Sequence, residues 1–198
     1  VLVLEDLSPC VQGDQLAGCT VDQAALAMDE LAKLHAPRWN DPALASVEWL
    51  NRNNTDESQA FSEMFLPQLL PGFLERYAER LASEEVRLAE LLMQGIGRFI
   101  RDRPGPRAVQ HGDYRLDNML FGEPESGREF VIVDWQTLGW GPVMTDAAYF
   151  LGGALSVEDR RAHEEALVRE YHQTLESLGV RGFSWEECWT GYRRYCFL

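Results

Sequence analysis

The sequence has little positive charge and almost no lysine. Its 198 residues carry 32 acidic and 18 basic side chains, a formal net charge of -14, and Lys33 is the single lysine. A nucleic-acid-binding protein needs a local excess of basic residues, and no cluster or stripe of basic residues is found in this acidic chain. The composition therefore argues against nucleic acid as a partner.

Metal-binding cysteine pairs and membrane-spanning segments are also missing. No apolar run is long enough to cross a bilayer, and the N-terminus lacks the basic and then apolar pattern of a secretion signal. We therefore expect a soluble cytoplasmic protein with no membrane span. The four cysteines show no C-x-x-C spacing, which indicates free thiols in a reducing compartment; they are Cys10, Cys19, Cys188 and Cys196.

Two short apolar runs on either side of a turn are the most informative part of the chain. Residues 119–121 and 130–133 have the length and composition of strands, and residues 122–128 contain the glycines, proline and polar residues of a turn. The pattern predicts an antiparallel β-hairpin. In such a hairpin Asn118, before the first strand, lies beside Asp134, after the second, and the preceding loop brings Asp113 close to both.

This predicted cluster consists of oxygen ligands. Mg²⁺ prefers carboxylate, carbonyl and phosphate oxygens and rarely receives all its ligands from the protein. The alternative for each residue is local, because Asp and Asn in turns commonly hydrogen-bond the nearby backbone. The three residues together favour the metal site.

The motif that contains these residues resembles the catalytic core of a known kinase family. His111-Gly-Asp-x-x-x-x-Asn118, followed by an Asp at the end of the next strand, is similar to the core of the aminoglycoside phosphotransferase and choline kinase-like family. The resemblance implies that Asp113 is the catalytic base and that Asn118 and Asp134 bind Mg²⁺. It also implies a structural role for His111.

The implied reaction moves the γ-phosphate of ATP, or GTP, to a hydroxyl group of a small molecule. Aminoglycosides, choline-like amines, sugars and lipid-like alcohols all fit as acceptors. Gly112 stands where protein kinases carry the Arg that pairs with a phosphorylated activation loop, and only eleven residues separate Asp134 from Asp146. Both features favour a small-molecule kinase over a protein kinase.

The resemblance also implies a fold and its organisation. We expect an α+β, mostly helical C-terminal lobe of a protein-kinase-like fold with a small catalytic β-hairpin, and an absent N-terminal lobe. Residues 1–8 would form the hinge strand, in which Glu5, Asp6 and Leu7 meet the adenine, and residues 9–198 the lobe. Within the lobe, residues 37–104 would bind the acceptor, and residues 108–135 would form the catalytic loop and metal-binding hairpin.

The expected absence of the N-terminal lobe rests on missing kinase parts. No glycine-rich phosphate loop or strand lysine precedes the hinge. Lys33 lies in residues 20–35, whose apolar spacing predicts a helix with Thr20 or Asp22 as its cap. Lys33 is therefore interpreted as a solvated helix residue, and the chain as a fragment of a larger kinase. The last predicted helix stops abruptly at residues 196–198, so we expect the chain to be truncated at this end too.

Three further interpretations concern residues outside the predicted metal site. By resemblance, Asp146 braces the catalytic loop through hydrogen bonds. Arg115 either faces a phosphate or pairs with a neighbouring acid, and the second is favoured. Aromatic residues in the acceptor region either line a pocket or belong to the core, and the core is favoured; these are Trp39, Trp49, Phe61 and Phe65.

Two other functions remain compatible with the same residues. The chain would be a non-catalytic binding module with a degenerate kinase fold if the natural protein begins at Val1 without the strand lysine. It would be a Mg²⁺-dependent phosphohydrolase if water were the acceptor at the same ligands.

Overall fold

The computed structural model describes residue 3 and residues 5–51, 55–123 and 127–197. The chain divides into two compact units: Val1–Leu44 with Gly105–Leu198, and Ala45–Pro104. Within the described residues, no helix combines the length and apolarity needed to cross a bilayer. The architecture is mostly helical α+β with small antiparallel sheets, consistent with the C-terminal lobe of a kinase-like fold.

The secondary-structure elements are as follows. The helices are α1 (Val21–His35), α2 (Glu48–Asn51), α3 (Asp56–Tyr77), α4 (Ser83–Arg101), α5 (Met144–Ala154), α6 (Val157–Ser177) and α7 (Trp185–Tyr195). The strands are β1 (Val11–Gln12), β2 (Arg107–Gln110), β3 (Met119–Phe121), β4 (Phe130–Ile132) and β5 (Gly139–Pro142). Short 3-10 helices span Ala36–Arg38, Pro42–Ser46, Leu116–Asn118 and Trp135–Thr137.

Helix α1 forms the centre of the core of the first unit. Of the two predicted caps, Thr20 is the one observed, in a capping box with Gln23. Its buried face packs mainly against α6 and consists of Ala24, Ala27, Met28, Leu31, Ala32 and His35. Lys33 lies on the opposite side, half exposed and paired with Asp29 and Glu30, so its interpretation as a solvated residue is confirmed.

The predicted hairpin is present in the first unit. Strands β3 and β4 pair antiparallel, with Met119 opposite Ile132 and Phe121 opposite Phe130. Strand β1 adds to the free edge of β3, which gives the order β1-β3-β4. Apolar side chains of β3 and β4 pack against the buried core, so the hairpin is held to the helices through one face.

A second sheet of two strands forms next to the catalytic motif. Residues 139–142 form β5, which pairs antiparallel with β2 immediately before the catalytic loop. A Cβ at Gly141 would lie 1.9 Å from Oε1 of Gln110, whose amide donates to the carbonyl of Pro142. Glycine here therefore lets the Gln110 side chain cross the strand pair, and the catalytic loop starts from a fixed sheet.

The predicted N-terminal strand is described only in part. Val1, Leu2 and Leu4 lie outside the described residues, and Val3 and residues 5–7 are not in a strand. Glu5 forms an ion pair with Arg128, in the segment that leads into β4. The assignment of residues 1–8 as a hinge stays a prediction.

The second unit is a pair of helices, α3 and α4, with the short α2 before them. Helix α3 continues through Pro67 and Pro71. Glu63 of α3 pairs with Arg101 of α4 at 2.6 Å. Gly97 makes room for this pair, because a Cβ there would lie 1.9 Å from the Glu63 carboxylate.

The aromatic residues of the predicted acceptor region differ in burial. Trp39 packs against the core of the first unit and against Phe183, with ring centroids 5.1 Å apart, as expected for a core residue. Trp49, Phe61 and Phe65 are exposed by 57%, 57% and 40%, so the core interpretation is wrong for these three. Trp49 lies on α2, and Phe61 and Phe65 lie on α3, none of whose described residues is buried.

Candidate active site

The predicted catalytic loop, residues 111–118, joins the two small sheets of the first unit. It leaves β2 after Gln110, turns through His111 to Arg115, and enters β3 through the 3-10 helix Leu116–Asn118. Both ends of the loop are therefore fixed by strand pairing. Its conformation depends on a small number of side-chain contacts.

The buried carboxylate of Asp146 holds the backbone of this loop. Asp146 lies in the first turn of α5 and is 1% exposed. Its Oδ2 accepts from the backbone N–H of His111 at 2.7 Å, and its Oδ1 accepts from that of Gly112 at 3.0 Å. A buried carboxylate needs such donors, and the predicted bracing role of Asp146 is confirmed.

His111 links the loop to the end of β4. Its Nδ1 accepts from the backbone N–H of Asp113 at 3.3 Å, so the proton resides on Nε2, which donates to the carbonyl of Val133 at 2.9 Å. The ring is fully buried and lies edge-on to Trp135, 4.8 Å between centroids. Both nitrogens are used within the fold, which confirms the structural role predicted for His111.

Gly112 has a structural reason to be glycine. Its φ is +81°, in the left-handed region, and an added Cβ would lie 2.5 Å from the carbonyl oxygen of Thr137. The hydroxyl of Thr137 donates to the carbonyl of His111 at 2.9 Å, which keeps the two segments in contact. An Arg at this position, as in protein kinases, does not fit.

The carboxylate of Asp113 accepts three side-chain hydrogen bonds. Its Oδ2 accepts hydrogen bonds from Nδ2 of Asn118 at 2.9 Å and from Nε of Arg115 at 3.3 Å. Its Oδ1 accepts one from the hydroxyl of Tyr149 at 3.2 Å. The side chain is 27% exposed. The Asp113 carboxylate is thus oriented by the loop and by α5, while one side of it stays open to solvent.

Tyr149 was not identified from the sequence. It lies on α5, and its pKa is raised by partial burial first and then by the negative charge and hydrogen bond of Asp113. A tyrosine inside an apolar helix carries no sequence signal that separates a core residue from a site residue.

The two predicted metal ligands lie at the same end of the hairpin, with a register that differs by one residue from the expectation. The backbone carbonyl of Asn118 accepts from the N–H of Val133 at 2.9 Å, so Asn118 lies opposite Val133 and not opposite Asp134. Asp134 follows with φ 64° and ψ 61°, which turns the chain out of the strand. Its side chain is exposed, and its Oδ2 accepts from Gln136 at 3.2 Å.

The donor atoms at this end suit Mg²⁺. Asn118 is 6% exposed and makes its described side-chain hydrogen bonds through Nδ2, so its Oδ1 is available to a cation. Asp134 supplies a carboxylate that is accessible to solvent. Among the described residues no three His, Cys, Asp or Glu side chains form a metal-binding group, and one amide with one carboxylate matches an ion that keeps water and phosphate ligands.

Other predicted residues have local partners. Arg115 pairs with Asp113 and, at 3.2 Å, with Asp117, as the favoured interpretation expected. Asp6 accepts from the backbone N–H of Ser8 at 2.9 Å, which lowers the pKa of Asp6. The backbone carbonyl of Leu7 accepts from Cys10 at 2.9 Å. The adenine contacts of residues 5–7 stay a prediction.

Two supporting residues were missed by sequence reasoning. Gln15 accepts from the backbone N–H of Leu116 at 3.0 Å and donates to the carbonyl of Gly153 at 2.7 Å, which ties the loop to the end of α5. His35, fully buried, has Nδ1 2.7 Å from the Tyr171 hydroxyl and Nε2 3.7 Å from Oδ2 of Asp146. His35 continues the apolar face of α1, and that spacing is the one signal for its burial.

Comparison with known proteins identifies the relatives of this chain. The model of the ecdysteroid kinase-like family matches residues 1–180. An uncharacterized kinase-like protein of Caenorhabditis elegans is 25% identical over 208 residues, which cover 98% of this chain and 52% of the relative. The chain thus spans about half the length of that relative. The prediction of a kinase-like family is confirmed, and membership of the aminoglycoside phosphotransferase and choline kinase-like family stays a prediction.

We predict that Gly112→Ala destabilises the protein more than Gly179→Ala. Both glycines have positive φ, but a Cβ at Gly179 meets nothing within 4 Å. Gly179→Ala should therefore cost the backbone strain alone, about 1–2 kcal/mol. Gly112→Ala should add an overpacking cost of about 1–3 kcal/mol against Thr137. Urea denaturation measures both variants, and equal losses would contradict the close contact at Gly112.

Proposed function

This chain belongs to the ecdysteroid kinase-like family, and on that premise we propose that it transfers the γ-phosphate of ATP, or GTP, to a hydroxyl group of a small molecule. One observation carries the proposal. The carboxylate of Asp113 is hydrogen-bonded to Asn118 at 2.9 Å in a loop whose backbone is fixed by Asp146. Phosphoryl transfer needs this kind of positioning more than covalent chemistry.

Asp113 is the proposed catalytic base. It orients the acceptor hydroxyl and accepts its proton as the new phosphate ester bond forms. Its partial exposure and fixed orientation support this role, since a base must reach the hydroxyl within hydrogen-bond distance. Arg115 and Asn118 both donate hydrogen bonds to Oδ2 of Asp113, so the carboxylate does not rotate freely.

Asn118 and Asp134 are the proposed Mg²⁺ ligands. Mg²⁺ held by these two residues would neutralise the charge of the nucleotide phosphates. Asn118 couples this site to the base, because its amide nitrogen bonds Asp113 and its amide oxygen is left for the ion. Residues 5–7 are the proposed contacts to the nucleotide base.

The acceptor is proposed to bind residues of the 37–104 region. The second unit presents exposed aromatic side chains at Trp49, Phe61 and Phe65, and the rings of Phe61 and Phe65 stack with centroids 5.3 Å apart. Such a surface suits an acceptor with an apolar body and one hydroxyl group.

A screen of alcohols with the full-length protein tests the proposed function. Aminoglycosides, choline-like amines, sugars and lipid-like alcohols are each incubated with Mg²⁺-ATP, and ADP is measured. ADP formation that requires one class of alcohol supports the kinase. ADP formation at the same rate without any alcohol supports a phosphohydrolase, and no ADP in any mixture supports a non-catalytic binding module.

We predict that Asp113→Asn lowers kcat by about 10²–10⁴-fold, the usual contribution of a general base. The KM for ATP should change little, because Asp113 contacts the acceptor and not the nucleotide. Steady-state ADP formation measures both constants. The control is Asp22→Asn, an exposed acid in the first turn of α1. A wild-type kcat in Asp113→Asn would show that this carboxylate is not the base.

We predict that Asp134→Asn weakens Mg²⁺ binding in the presence of ATP by at least about tenfold, since one charged contact contributes about 1.5–3 kcal/mol. Electron paramagnetic resonance of bound Mn²⁺, used in place of Mg²⁺, measures this without turnover. Asp22→Asn again serves as the control for net charge. If Asp134→Asn binds Mn²⁺ as the wild type does, Asp134 is not a ligand.

A further inference from the structure

Tyr149 occupies a position on α5 that core packing does not explain. Its neighbours Ala148 and Phe150 are 2% and 1% exposed, whereas Tyr149 is 47% exposed. A large aromatic side chain with half its surface in water gains little of the free energy that full burial would provide. Its described polar contact, to Asp113, is therefore the feature that distinguishes it.

Helix α5 contacts the catalytic loop at two levels. Asp146 and Tyr149 are three residues apart, which places them on one face of the helix, one turn from each other. Asp146 binds the backbone of the loop through two N–H groups, and Tyr149 binds the side chain of Asp113. The same rigid element thus fixes where the loop lies and how its carboxylate is turned.

The two oxygens of Asp113 differ in their partners. Oδ2 accepts from both Asn118 and Arg115, whereas the described partner of Oδ1 is Tyr149. A carboxylate oxygen has two lone pairs, so Oδ1 keeps acceptor capacity for an incoming hydroxyl. Gly152, one turn further along α5, is exposed, and a Cβ there would meet nothing within 4 Å.

We propose that Tyr149 is a positioning residue that fixes the Asp113 carboxylate so that its Oδ1 faces the acceptor hydroxyl. This role rests on the proposed function, because it requires Asp113 to be the base. Tyr149 acts through Asp113. The charged and titratable groups around that carboxylate are Arg115 in the loop, Tyr149 on α5, the ring of buried His111, and Asp117 through its pair with Arg115.

The first arm of the test measures the contact without turnover. Full-length protein labelled with ¹³Cζ-tyrosine is titrated in alkaline solution, and the Tyr149 resonance is assigned by its loss in Tyr149→Phe. The negative charge of Asp113 disfavours the Tyr149 phenolate, so Asp113→Asn should lower the pKa of Tyr149. Asp22→Asn, which removes one charge elsewhere, should leave it unchanged. Equal pKa values of Tyr149 in wild type and Asp113→Asn overturn the contact.

The second arm measures ADP formation from Mg²⁺-ATP in Tyr149→Phe, with the alcohol that the screen selects or with water as the acceptor. Loss of one hydrogen bond to a charged carboxylate should lower kcat about ten- to hundredfold while the KM for ATP stays within about twofold, with the thermal midpoint as the check on folding. A wild-type kcat in Tyr149→Phe overturns the positioning role alone. Absence of ADP formation in the wild-type protein overturns the proposed function, and the role of Tyr149 with it.

Discussion

The hydrogen bonds from the backbone of His111 and Gly112 to the carboxylate of Asp146 are the contacts on which the rest of the site depends. A buried carboxylate is costly unless donors surround it, and here the catalytic loop supplies two of them. The fold of α5 and the conformation of the loop are therefore linked energetically. Gly112 permits the turn that aims both N–H groups at one side chain.

The position of Asp113 depends on these two hydrogen bonds to Asp146. The loop backbone leads Asp113 to the open side, where Asn118, Arg115 and Tyr149 orient its carboxylate. His111 fixes the distance between the loop and β4, because its two ring nitrogens bond to both segments. The result is a carboxylate that is held in one orientation at the open side of the loop, as the proposed base requires. A site held in this way suits a reaction that depends on positioning and charge neutralisation.

Local pattern predicted the parts of the fold that local interactions determine. The hairpin followed from two β-branched or apolar runs around a turn, and the Thr20 cap from the residues that start α1. The role of Asp146 came from the resemblance, because its partners are backbone groups that leave no trace in sequence. Strand β5, the one-residue difference at Asp134 and the contact of Tyr149 all depend on tertiary register. The hydrophobic periodicity and the strand propensity of a segment do not determine such tertiary register.

The central claim is that Asp146 holds the catalytic loop, and amide hydrogen exchange tests it most directly. The N–H groups of His111 and Gly112 should exchange slowly in the wild-type protein. In Asp146→Asn an amide NH₂ replaces one of the two acceptor oxygens, so at least one of these N–H groups should exchange about 10²-fold faster, since an unsatisfied buried group costs about 1–3 kcal/mol. The exchange of buried amides in α1 should change less than that of these two. Equal exchange of the two loop amides in both proteins would contradict the account.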